Sequence, residues 1–213
     1  GQQELTGVVT GAVVPSSGSV TVAGVNIAGE DAAAVPRRGV GLIPEDRDRQ
    51  GLIGAMAVWE NMLLGQFGRQ EFSRSGILSE KNCQSYVAEQ VKQYSIRLAS
   101  IEQPVRSLSG GNRQKVILAR ELNLQPKVLV ACQPVRGLDV GAAEMVYERL
   151  RAARSAGAAV LLISADLDEV LELADRVGIL YRGRIVREFS PGELTPGEIG
   201  HFMLSGSKEE SPA

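Results

Sequence analysis

No apolar run in the 213-residue chain approaches the roughly 20 residues needed to cross a bilayer, and no stretch reads as a signal peptide. Any attachment to a membrane is therefore expected through a partner. Cysteine is scarce: Cys83 and Cys132 stand far apart without C-x-x-C spacing. That argues against a disulfide framework or a metal site and fits a reducing compartment. Excess charge of one sign is also missing. A net charge of -2 gives no electrostatic case for nucleic acid as a partner. The only histidine, His201, falls on the last helical stretch, where a surface position accounts for it. No internal repeat is visible. With 44% hydrophobic residues, the chain can form one domain with a substantial core.

The most informative stretch is Leu108-Ser109-Gly110-Gly111-Asn112-Arg113-Gln114-Lys115, which leads into a helical pattern, Val116 to Leu122. Ser109 suits an N-cap, because its hydroxyl can accept a first-turn N–H. The two glycines leave the remaining first-turn amides unshielded at the positive end of the helix dipole. Such a terminus suits an anion, above all a phosphate. An ordinary capping turn with no ligand is the alternative, and the tetrapeptide alone does not separate the two.

Downstream, Val128 to Cys132 is a short apolar run bounded by Pro126 and Pro134, as expected of a strand buried on both faces of a parallel sheet. Gln133-Pro134-Val135-Arg136-Gly137-Leu138-Asp139 follows. A helix is predicted to about Ser155 with Gly157 closing it, then a second buried strand, Ala159 to Ile163. Earlier, Ser19 to Gly24 reads as a short strand after a Pro15-Ser16-Ser17-Gly18 turn, and Gly39 to Ile43 as a buried strand. The stretch from Val58 to about Ile101 reads as helical, interrupted by a Gly/Arg/Ser-rich loop, with its second helix running from Glu80 to Leu98. Near the end come a short acidic helix, Asp166 to Ala174, and a ribbon from Arg176 to Val186 turning at Arg182-Gly183. A final helix is capped by Thr195 with Pro196 in its first turn, and a disordered tail is expected from Ser205.

Leu108 to Lys115, Gly137-Leu138-Asp139 and the Ile163-Ser164-Ala165-Asp166 turn, in this order and spacing, resemble the nucleotide-binding domains of ATP-binding cassette (ABC) ATPases. The variants present here are most similar to the second, degenerate cassette of the fused ATPase subunit of sugar and nucleoside importers. The resemblance runs from Gly1 to about Leu204. It implies an α/β fold: a RecA-like P-loop NTPase core with a mostly parallel sheet, plus an inserted α-helical subdomain. Residues 1–46 would form the first part of the core, 47–105 the helical subdomain, 106–204 the second part, and 205–213 the tail.

The same resemblance assigns roles. Ser109, Gly110, Gly111 and Asn112 would contact ATP in trans, held with Mg²⁺ mainly by a sister cassette, and Asp139 would sit at the same seam. As an alternative, Asp139 simply caps the helix that follows. Glu45 stands where the family places a glutamine touching both metal site and transporter interface, so its charged loop would be a hinge; a merely solvated loop is the alternative. Met56, Trp59, Met62 and Leu63 could line a groove that receives the permease, although apolar residues at helical spacing usually face inward. Gly1 would be the last glycine of a phosphate loop, with Gln2 at the lysine position and Gln3 at the Ser/Thr position. The chain is thus expected to be N-terminally truncated, within that loop; a helix start with no nucleotide role is the alternative, since both side chains the loop needs are absent.

Its own site is expected to be degenerate. Cys132, Gln133 and Ala165 occupy the places of a Mg²⁺-binding Asp, a water-polarising Glu and a His near the γ-phosphate. A thiol prefers softer metals than Mg²⁺, an amide cannot accept a proton, and Gln2 supplies no cation. No intact catalytic set and no metal site of its own are expected, and ATPase activity only in a composite two-cassette site. The leading expectation is an energy-coupling domain on the cytoplasmic face of the inner membrane. It would work with a second cassette, a transmembrane permease and, indirectly, an external solute-binding protein. The alternative is a non-catalytic nucleotide-binding or regulatory dimerisation domain.

Overall fold

In the computed structural model, residues 1–206 are described. They fall into two compact units: Gly41–Val160, and Gly1–Val40 together with the chain from Leu161 onward.

The unit Gly41–Val160 is built on a three-stranded sheet in the order β3 (Val40–Ile43), β6 (Val128–Cys132), β7 (Ala159–Ile163), the outer residues of β3 and β7 lying at its boundary. Leu129, Val130 and Ala131 are fully buried, as a strand covered on both faces requires. Helix α4 (Gly110–Asn123) begins at Ser109, whose hydroxyl accepts the N–H of Asn112. Val116 to Arg120 are buried without a break, so this helix is enclosed all round rather than lying on a surface. Helix α5 (Val140–Ser155) is capped by Asp139, and Gly157, at φ 97°, donates its N–H to Arg154 to close it.

Between β3 and α4 lie α2 (Val58–Met62), a hairpin of β4 (Ser73–Arg74) and β5 (Ile77–Leu78), and α3 (Glu80–Gln93). The hairpin occupies the stretch expected to be only loop; Ser75 and Gly76, both at positive φ, make its two-residue turn. Helix α3 stops at Gln93, short of the expected Leu98. Tyr94 caps the helix, its N–H still bonded to the Gln90 carbonyl, and Ser95, at φ 49°, turns the chain away. The Tyr94 hydroxyl donates to Asn123 at 3.3 Å and its ring lies under the Arg149 guanidinium, 4.5 Å from the centroid. Met62 and Leu63 are buried at 2% and 0% exposure, which makes them core and removes them from any exposed groove.

The other unit holds α1 (Gln2–Val9), the two-residue strands β1 (Thr21–Val22) and β2 (Val25–Asn26), α6 (Leu167–Leu173), the ribbon β8 (Val177–Tyr181) and β9 (Arg184–Phe189), and α7 (Pro196–Ser205). The expected Ser19–Gly24 strand is shortened because Ala23 and Gly24, both at positive φ, turn the chain back on itself. Arg182 and Gly183 form the ribbon's turn in the same way. Val177, Ile179, Phe189, Ile199 and Phe202 make this unit's core between the ribbon and α7. A capping box at Thr195 and Glu198, with Pro196 in the first turn, sets the start of α7. Ser205, expected to begin a disordered tail, is instead the last residue of that helix, which Gly206 caps at φ 72° by bonding the Phe202 carbonyl. Residues 207–213 of the expected tail lie outside the described residues.

Candidate functional site: the N-terminus of α4 and its surroundings

Ser109 is exposed, and Gly110, Gly111 and Asn112 are half-buried. Helical geometry leaves the N–H groups of Gly110 and Gly111 without intrahelical acceptors. A Cβ on Gly111 would come within 3.3 Å of the Ala142 Cβ, so the first turns of α4 and α5 meet at a bare glycine. Asp139 Oδ1 accepts the Ala142 N–H at 2.9 Å. Its carboxylate is therefore the N-cap of α5, and it stands beside the α4 terminus through that helix.

The charged loop after β3 reaches the same place. Its turn, Arg47–Gly51, is capped by Asp46, whose carboxylate accepts the N–H groups of Asp48 and Arg49. Arg47 Nη1 donates to the Arg136 carbonyl at 3.1 Å. Its Nη2 lies 3.5 Å from where a Cβ would stand on Gly110 and 3.5 Å from the equivalent point on Gly137. Glu45 pairs with Arg136 at 2.6 Å, and Asp48 with Arg113 at 3.2 Å. Thus the loop is fastened both to the Gln133–Asp139 segment and to α4. Sequence reasoning singled out Glu45 here but missed Arg47, Arg113 and Arg136. Charge density was the only local sign of them.

A second attachment to α4 comes from the loop that holds Ser95 and Arg97. Asn112 Oδ1 accepts the N–H of Arg97 at 2.8 Å, and Lys115 Nζ donates to the Ser95 carbonyl at 2.9 Å. Partial burial, with a further push from Arg97, lowers the Lys115 pKa against the opposing pull of Asp139. Deeper in the helix, Gln114 Nε2 donates to the Pro134 carbonyl at 2.8 Å, holding the segment that follows β6.

The remaining predicted positions are placed as follows. Met56 and Trp59 are half-buried, and the Trp59 N–H bonds the Ile101 carbonyl at 3.1 Å. Cys132 is buried at the end of β6, and Gln133 takes φ 48°, a backbone conformation rare for a side-chain-bearing residue. In the other unit, Gln2 and Gln3 are exposed on the first turn of α1, and Ala165 is exposed in the turn between β7 and α6. Among the described residues, no group of three or more His, Cys, Asp or Glu side chains that could hold a metal ion comes together. Mg²⁺ takes hard oxygen ligands, whereas Cys132 presents sulfur. The donor set at Cys132 does not fit this ion, and no chemical step is routed through one there. The α4 terminus does fit a phosphate, since it offers a hydroxyl and bare amides at a positive dipole end.

A helix terminus with an exposed serine hydroxyl and two bare glycines, set beside the segment that follows a buried strand, fits an ATP-binding cassette. Residues 1–136 match the family described as "ABC transporter", and the chain belongs to it. Its α/β architecture is the ABC ATPase fold, with a parallel sheet consistent with a RecA-like P-loop core. The chain is similar to the guanosine import ATP-binding protein NupO of Bacillus subtilis, 37% identical over 99% of this chain and 41% of that protein. It is 39% identical to the nucleoside import ATP-binding protein NupA of Lactococcus lactis, over 99% of this chain and 42% of that protein. It is also 40% identical to the ribose import ATP-binding protein RbsA 1 of Streptomyces avermitilis, over 96% and 39%. The chain thus spans about two fifths of the length of these relatives. The ATP-binding cassette MJ0796, in a dimeric post-hydrolysis state with ADP and Pi, superposes with a TM-score of 0.73 at 21% identity, covering 91% of this chain and 82% of that one. No helix among the described residues is long and apolar enough to cross a membrane.

Proposed function

We propose that the chain is the energy-coupling ATP-binding domain of an importer for sugars or nucleosides, and that it presents Ser109, Gly110 and Gly111 in trans to ATP held by a sister cassette. The single observation that carries this reading is the contrast between the two ends of the chemistry. The α4 terminus offers an exposed hydroxyl and bare amides, while Gln2, Gln3, Cys132, Gln133 and Ala165 lack the cation, metal ligand and base that hydrolysis needs. Donors already in place at the terminus stabilise charge developing on a γ-phosphoryl group without reorganising, and each such donor is worth roughly 3 kcal/mol of barrier. Mg²⁺ accompanies the ATP and neutralises phosphate charge from the sister cassette's side.

The import names of the relatives support the solute class and a permease partner. In this reading residues 47–105 form a helical subdomain that docks the permease through Met56 and Trp59, inserted between core parts 1–46 and 106–204. Glu45 and its loop form the hinge between that docking face and the α4 terminus. The domain works peripherally at the cytoplasmic face of the membrane, served by an external solute-binding protein. The test is ATP turnover by the chain paired with a cassette that has a complete phosphate loop. Turnover is expected to appear on pairing and to vanish with Ser109→Arg. Turnover indifferent to that substitution would instead favour a regulatory dimerisation domain.

A further inference from the structure

The motif groups Asn112 with residues that touch nucleotide, yet its hydrogen bonds give it another task. Its Oδ1 accepts the backbone N–H of Arg97 at 2.8 Å. A backbone amide can only donate, so this bond determines which end of the carboxamide faces the 95–97 loop. The Nδ2 end is thereby turned to Ser109, 3.0 Å from its Oγ. The Asn112 backbone N–H reaches the same oxygen at 3.4 Å. A hydroxyl has two acceptor lone pairs and one proton. Both lone pairs are engaged by Asn112, and among the described residues no protein acceptor takes the proton.

We infer that Asn112 is a positioning residue: it holds the Ser109 hydroxyl as a hydrogen-bond donor aimed off the helix terminus, rather than binding nucleotide itself. The inference rests on the reading of Ser109 as a donor to the sister cassette's ATP. Without Asn112, the hydroxyl is free to rotate and spends part of its time accepting from water. With it, only the donating orientation satisfies all three hydrogen-bonding positions. The base for this arrangement is rigid. Lys115, three residues further along the helix, pins the same loop at Ser95, so Arg97 is presented to Asn112 from a segment fastened at two points.

The experiment is a double-mutant cycle on ATP turnover by the chain paired with a complete sister cassette. Ser109→Ala is expected to lower kcat about 100-fold, the cost of one charge-stabilising donor. Asn112→Ala is expected to lower kcat roughly tenfold with KM within about twofold, and to cost less than about twofold once Ser109 is already Ala. Asn112→Asp separates positioning from structure. The carboxylate still accepts from Arg97 and suits the first turn of a helix, so the thermal midpoint is expected to hold or rise. It accepts the Ser109 proton instead of donating to the oxygen, so kcat is expected to fall at least as far as with Asn112→Ala, again only when Ser109 is present. Equal losses in both Ser109 backgrounds, or wild-type turnover by Asn112→Asp, would overturn the inference while leaving Ser109's role intact. No loss with Ser109→Ala would sink the trans-signature reading and this inference with it.

Discussion

Replacing Arg120 by methionine tests what holds the signature helix in its unit. Arg120 and Glu121 are neighbours on α4, and adjacent helical residues do not ordinarily face one another. Here Arg120 Nε reaches Glu121 Oε1 at 2.7 Å with both side chains largely buried, 10% and 13% exposed. The guanidinium also donates to the Gly51 carbonyl at 2.8 Å and the Asn61 carbonyl at 3.4 Å, while Glu121 Oε2 accepts the Leu42 N–H at 3.2 Å. One pair of side chains therefore ties α4 to the end of the charged loop, to α2 and to β3.

Methionine fills the space but leaves a buried carboxylate without its cation and removes the donors to two carbonyls. Breaking a buried pair from one side typically costs 3–5 kcal/mol, so about 4 kcal/mol is expected. At a slope of about 2 kcal/mol per molar urea, the midpoint should fall by roughly 2 M. Trp59 is the only tryptophan and lies within Gly41–Val160, so its fluorescence follows this unit. In Arg120→Met with Glu121→Leu, no charge is stranded, and the double loss should be at least about 1 kcal/mol smaller than the sum of the singles. A midpoint shift under roughly 0.5 M, or strict additivity, would refute the idea that this pair is the tie.

Three further expectations follow from other sites. Glu169 is buried and accepts the Ser164 hydroxyl, and burial is the main cause that raises its pKa above 4.5. A raised pKa in the folded state means stability present below the unfolded value and lost as pH climbs through the folded one. Glu169→Gln should therefore gain on wild type as pH rises from about 4.5 toward neutrality, read as the difference in melting temperature; a difference independent of pH would count against it. Gly51→Ala would set a Cβ 2.6 Å from Ile117 Cδ1 and 3.0 Å from Pro44 Cγ, so a loss of about 1–3 kcal/mol is expected from overpacking in urea denaturation. Reversing the exposed Glu45–Arg136 pair, with Glu45→Arg and Arg136→Glu together, should recover the loss of either single change, which is expected to stay below about 1 kcal/mol by the same assay.

Much of the scaffold could be read along the chain because its causes are local. Ser109, Asp139 and Thr195 each cap the helix that starts directly after them, and a side chain reaching an amide three residues away needs no distant partner. The apolar runs at Val128–Cys132 and Ala159–Ile163 both became strands, as short continuous apolar segments tend to. The first is buried as expected, whereas the second is exposed at Ala159, half-buried from Val160 to Leu162 and buried only at Ile163. The Ser-Gly-Gly helix terminus, and hence the candidate anion site, was legible because its cap is local.

Other features depended on residues far away in sequence. Helix α3 ends at Gln93 where Ser95 takes a positive φ, and Tyr94 at that end is held by Asn123 and Arg149 from distant parts of the chain. The Arg47–Arg136 contact joins positions 89 residues apart, and local pattern shows only a charged loop. Whether Met62 and Leu63 face a groove or a core was settled by the elements packed over α2, since helical spacing alone does not say which side is covered. Asn112 marks the boundary most clearly: the chain announces an amide beside a serine, but the backbone N–H of Arg97, brought up by the fold, decides which way that amide points.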